Sequence, residues 1–121
     1  LVGPSSLILS LMASGFNGQS FAFSGYLPVE PAARSARLKE MTRRIRHERQ
    51  TQIFIETPYR NRRLVEELVA ALPPEMLLCV AVDITGPSES IITMPLSGWK
   101  RALADGSAPL GKIPAIFLLF S

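Results

Sequence analysis

Glu56, Tyr59, Arg60 and Asp83 are the residues whose types and positions in this sequence suit chemistry. Glu56 and Asp83 each follow an apolar run, Ile53-Phe54-Ile55 and the stretch beginning at Leu77. Such runs read as buried strands, and strand exits in α/β folds are where ligands bind. Thr57 suits a helix N-cap and Pro58 a first helical position, so Glu56 stands at a strand-to-helix turn. The polar cluster Tyr59-Arg60-Asn61-Arg62-Arg63 follows at once. Two carboxylates at one sheet edge leave glycoside-type acid–base chemistry open. The plainer readings are a structural hydrogen-bond acceptor for Glu56 and a turn or capping acid for Asp83.

Other chemistries lack residues. Cys79 is the single cysteine and sits inside LLCVAV, as a buried small hydrophobe would. His47 is the single histidine, which leaves little for a triad and no zinc spacing, and no metal site is expected. Gly3-Pro4-Ser5-Ser6 has neither the glycine spacing nor the lysine of a phosphate-binding loop.

The elements that must position these residues are legible in outline. A helix apolar nearly all round is expected over Ser5 to Ser14, with Leu7, Ile8, Leu9, Leu11 and Met12. A strand is expected over Phe21 to Pro28 and a helix over residues 34–49. Thr57-Pro58 opens a helix reaching Leu72, stopped by Pro73-Pro74. Met76 to Thr85 reads as a central strand, apolar on both faces. A short strand over Glu89 to Met94 and a helix capped by Ser97 come next. Lys112 to Phe120 is the last strand, with Pro114 marking an edge or a strand beginning. The order α-β-α-β-α-β-β-α-β predicts an α/β fold: a three-layer-like sandwich with a mixed five-stranded sheet and about four helices.

The chain has 121 residues, 47% hydrophobic and 19% charged, which predicts one soluble globular domain rather than a disordered chain. No apolar run approaches the ~20 residues of a membrane helix, and no signal peptide is evident, so the cytoplasm is the expected compartment. The opening LVGPSS, without Met, reads as the start of an excised fragment. Over residues 34–49, seven basic residues (Arg34, Arg37, Lys39, Arg43, Arg44, Arg46, Arg49) against two acids leave five net positive charges, compared with three for the whole chain. This is either a solvated helix face or an electrostatic footprint for nucleic acid, which Arg60, Arg62 and Arg63 could extend. No aromatic is interleaved in the run, so it gives no support to single-strand stacking.

The succession GPSS-helix-ASG, FAFSGYLP, IFIETPYRN, VAVDIT with Glu89 beyond it, and KIPAIFLL resembles the tetrapyrrole methylase family of S-adenosylmethionine-dependent methyltransferases. It covers nearly all of residues 1–121, but only the C-terminal half of a typical two-domain member. The resemblance implies that the N-terminal half, with its cofactor loop, lies outside these residues. Within the family, Ile55-Glu56-Thr57-Pro58-Tyr59-Arg60 and Gly25-Tyr26-Leu27-Pro28 look like the branch that methylates a cytidine ribose 2′-hydroxyl in small-subunit ribosomal RNA, with Tyr59 where His is usual. Val82-Asp83 stands where that branch has Arg-Glu, and the last strand ends in LLFS rather than an acidic-glycine pair. The resemblance implies S-adenosylmethionine as cofactor, lined by Pro4, Ser5, Ile55, Glu56, Ile84, Pro114 and Ala115. It implies Glu56 as candidate base, and Tyr59, Arg60, Arg43 and Arg44 as contacts to a ribosomal RNA or small-subunit substrate. It also implies a homodimer, an enzyme active at full length, and an isolated fragment without activity. A corrin, porphyrin or other small-molecule methyltransferase is the alternative. A non-catalytic RNA- or partner-binding domain is the reading from another class.

Overall fold

The computed structural model describes residues 20–83, 86–87, 89–108 and 110–121. Five strands form one sheet: β1 (Phe21–Tyr26), β2 (Thr51–Ile55), β3 (Leu77–Val82), β4 (Ser90–Pro95) and β5 (Ala115–Phe120). Their spatial order is β1-β2-β5-β3-β4. β1 and β2 are parallel, and the β2/β5, β5/β3 and β3/β4 pairs are antiparallel. The sheet is therefore mixed, as expected. β5 lies at its centre, so Pro114 marks a strand beginning and not an edge.

Three helices are described: α1 (Pro31–Glu48), α2 (Asn61–Ala71) and α3 (Leu96–Asp105). The expected helix over Ser5 to Ser14 lies outside the described residues. α1 starts three residues earlier than its basic run suggests. The Glu30 carboxylate accepts from the Ala32 and Ala33 amides at 3.2 and 2.7 Å, and Pro31 occupies the first turn. Leu38, Met41 and Ile45 form the buried stripe that their spacing predicts. Arg49, expected inside the helix, is its left-handed cap at φ 55°. Two other expected caps are absent. Thr57 has extended geometry and makes no side-chain cap; a single 3-10 turn, Pro58–Arg60, precedes α2. Ser97 falls inside α3, whose cap position is Pro95.

All three described helices pack on one face of the sheet. Their buried side chains join Phe54, Leu78, Val80, Phe117 and Leu119 in one cluster. Phe54 and Phe117 stack with centroids 5.8 Å apart. Trp99 is fully buried, and its indole N–H donates to the Leu78 carbonyl at 2.9 Å, which removes the cost of an unpaired buried donor. The opposite face carries a second buried cluster of Ile53, Cys79, Ala81, Ile116 and Leu118. Burial raises the Cys79 thiol above its usual range, with Thr93 opposing the shift, which suits packing rather than nucleophilic use. No described helix is long and apolar enough to cross a membrane.

Candidate functional site

The topology gathers several sequence-predicted positions at one edge of the sheet. β2 and β3 each pair antiparallel with β5 and therefore run the same way. Ile55 is in register with Ile116, and Val82 with Ala115. Ile55-Glu56, Asp83 and Pro114-Ala115 consequently sit side by side, with the start of β5 between the two carboxylate residues. Asp83 has left-handed backbone at φ 49°, and its N–H donates to the Pro114 carbonyl at 2.9 Å. Gly86 closes that turn: a Cβ there would run into the Asp83 carboxylate. Among the other positions expected to line a cofactor, Pro4, Ser5 and Ile84 lie outside the described residues.

The Glu56 carboxylate faces a groove of ≈ 530 Å³ on the helix side, between the starts of α1 and α2. Arg34, Leu38, Arg60, Arg63 and Glu67 line it with Glu56. Arg34 Nε donates to both Glu67 carboxylate oxygens at 2.8 Å, and a terminal nitrogen reaches Glu56 at 3.4 Å. The Arg34 side chain is only 12% exposed and that of Glu56 10%. The hydrogen bond to Glu67 is the largest influence raising the Arg34 pKa; burial opposes it and the charges of Glu67 and Glu56 add to it. The other Glu56 oxygen accepts from the Thr57 amide at 3.0 Å and from the Thr57 hydroxyl at 3.3 Å. Glu56 thus carries out the structural-acceptor role that its sequence left open, holding the strand exit to α1.

Arg60 reaches this groove, and Tyr59 beside it is 70% exposed. Arg43 and Arg44 lie elsewhere, farther along α1. They share Glu40, with Arg43 at 2.8 Å and Arg44 at 2.9 Å, and Arg43 also reaches Glu48 at 3.3 Å. Those contacts, Arg43 first, pull the Glu40 carboxyl down to about 2. The basic face is therefore partly neutralised within α1 itself, and Arg34 is turned away from it into the groove.

Two residues matter more than their sequence positions suggest. Glu67 fixes Arg34. Asn61 is buried, and its amide donates to the carbonyls of Ile113 at 2.8 Å and Gly111 at 3.4 Å. This bond ties α2 to the loop that delivers Pro114 to the sheet edge. A helix-start Asn reads as a cap in sequence, and nothing local reveals a partner fifty residues away. Among the described residues no group of three His, Cys, Asp or Glu could hold a metal ion.

No family model matches the chain. In structure it is similar to the methyltransferase CobJ, with TM-score 0.57 and 18% identity over 95% of this chain and 47% of that one. It is also similar to uroporphyrin-III C-methyltransferase from Thermus thermophilus complexed with S-adenosyl homocysteine, with TM-score 0.52 and 20% identity over 93% of this chain and 49% of that one. The fold is that of the tetrapyrrole methylases. Within that class its sequence relatives include Ribosomal RNA small subunit methyltransferase I of Vibrio cholerae, 35% identical over 97 residues, and of Xylella fastidiosa, 31% identical over 103 residues. These alignments take in 80% and 85% of this chain but only 32% and 36% of the relatives, so the chain spans about a third of their length.

Proposed function

We propose that residues 1–121 form the C-terminal domain of a homodimeric, cytoplasmic S-adenosylmethionine-dependent methyltransferase acting on a ribose 2′-hydroxyl of small-subunit ribosomal RNA. The observation that carries this reading is the convergence of separate motifs at one sheet edge, in a chain whose sequence relatives are named for ribosomal RNA methylation.

The edge suits one wall of a cofactor site. Ala115 is small and buried, Ile55 is half-buried, and the Asp83 turn brings backbone and a carboxylate beside them. In this reading Ile55, Glu56, Pro114 and Ala115 hold the cofactor, with Pro4, Ser5 and Ile84. The bound sulfonium supplies the reactive methyl. The apolar wall excludes water, and Asn61 fixes the loop before Pro114. Glu56 holds the strand exit in place, so positioning carries its contribution to rate. Tyr59 and Arg60 meet the substrate at the groove, while Arg43 and Arg44 meet phosphates farther along α1.

The test uses the full gene product, because the isolated chain has no complete cleft in this reading. S-adenosylmethionine with a labelled methyl is offered with unmethylated small ribosomal subunits and, in parallel, with a tetrapyrrole precursor. The expected result is label in RNA at one ribose that resists alkaline cleavage. Label in the tetrapyrrole alone moves the substrate to the other branch. No cofactor binding by the full product ends the methyltransferase reading.

A further inference from the structure

The aromatic residues that the basic helix lacks are supplied by the strand beside it. β1 is an edge strand, paired only with β2 among the described residues. Phe21 is in register with Thr51 and Phe23 with Ile53, so both rings point to the face opposite the helices. Between Phe23 and Tyr26 the register slips, with three steps on β1 against two on β2. Gly25, at φ 67°, permits this bulge. The slip returns Tyr26, paired with Ile55, to the face of the two phenylalanines. The three rings are 46%, 45% and 59% exposed, an aromatic strip along an open edge.

The other side of the same strand is cationic. Ser24 lines a groove of ≈ 190 Å³ with Arg37, Glu40, Arg44 and Gln52. Arg37 makes no ion pair among the described residues, and Arg44 shares its carboxylate with Arg43. Stackable rings thus stand on one face of β1, and guanidinium groups of α1 border the other. At its Tyr26 end the strip arrives beside Ile55, at the edge where the proposed cofactor wall stands.

We propose that the β1 edge is a docking surface for single-stranded RNA, with bases stacked on Phe21, Phe23 and Tyr26 and phosphates against Arg37 and Arg44. The proposal deepens the RNA-substrate reading and rests on it. Ring stacking accepts any base, because every base has a π-face, and the guanidinium groups supply the charge complement of a polyanion. The cationic border favours this occupant over an apolar protein surface.

The experiment uses the full gene product and a short single-stranded RNA containing 2-aminopurine, whose fluorescence is quenched by stacking. The expected result is quenching on binding, retained in Phe23→Tyr. Phe23→Leu, which keeps the apolar surface and loses one of the three rings, should weaken binding about tenfold and reduce the quenching. Arg37→Ala should reduce the slope of log affinity against log salt by roughly 0.7. Binding and quenching unchanged in Phe23→Leu overturn the proposal. If in addition Phe23→Glu changes the sedimentation mass, the edge is a protein interface. Methyl transfer to RNA that persists alongside such a failure leaves the functional reading standing. Absence of any RNA binding, with label in a tetrapyrrole, overturns both.

Discussion

Arg34 and Glu67 form a two-pronged contact, Nε to both carboxylate oxygens at 2.8 Å, while the same guanidinium reaches Glu56 at 3.4 Å. One side chain on α1 thereby joins the exit of β2 to α2. The contact lies in an open groove, and the Glu67 side chain is 34% exposed, so water relieves part of the loss. Arg34→Ala is expected to cost about 1–2 kcal/mol of stability, between the cost for an exposed and for a buried pair. Arg34→Lys should recover little of it, because an ammonium cannot reproduce the fork. Urea unfolding checks this: the midpoint should fall with the slope unchanged. A midpoint within error of the parent would mean that the three side chains contribute nothing measurable together.

Asn61 offers a test of how the sheet edge is held. Its amide spans to the Ile113 and Gly111 carbonyls, just before Pro114. Asn61→Ala removes the amide nitrogen that donates to both carbonyls, of which Ile113 is half-buried and Gly111 exposed, at a cost of about 1 kcal/mol. If the loop positions the cofactor wall, the variant should raise the dissociation constant for S-adenosylmethionine severalfold, measured by calorimetry on the full gene product. Lower stability with unchanged cofactor affinity would confine Asn61 to folding.

Much of this edge was legible in the sequence, and the reason is local. Ile53-Phe54-Ile55 and the LLCVAV run announce their strands by composition, and a carboxylate after each is visible at once. The stripe of Leu38, Met41 and Ile45 is equally local. The failures are tertiary or concern caps. In sequence Arg34 reads as one more charge of the basic run, because its partner Glu67 lies 33 residues away. The exposed aromatics nearest the basic helix come from β1, which precedes it in the chain, and stand on the opposite face of the sheet. Pro31 reads as a connection until Glu30 is seen to cap the helix behind it.

Glu56→Gln separates a held carboxylate from a proton acceptor. The oxygens of Glu56 already accept from Arg34, the Thr57 amide and the Thr57 hydroxyl. The amide keeps the shape and loses the charge opposite Arg34. A loss of less than about tenfold in kcat is expected, with the acid limb of the pH–rate profile kept. General-base removal typically costs about 100-fold or more. A loss of that size, together with disappearance of the acid limb, would make Glu56 the base.

Glu40 governs how much of the basic face is available. Its carboxyl is held at about 2, against an ordinary value of 4.5, by hydrogen bonds from Arg43 first and Arg44 second. A depressed carboxyl favours the folded state above the ordinary value, and that contribution fades as pH falls from 4.5 toward 2. The residue is surface-exposed, so salt should screen the effect. Glu40→Gln should therefore flatten the acid side of the thermal-stability profile slightly. It also frees the Arg44 guanidinium beside β1 and leaves Arg43 with Glu48 alone. RNA affinity at low salt should rise, and the salt slope should steepen by roughly 0.7 for each arginine that gains a phosphate. Titrations of single-stranded RNA at several salt concentrations decide the point. A steeper slope means that Arg43 and Arg44 can reach phosphate once released; an unchanged slope means that they serve only to stabilise α1.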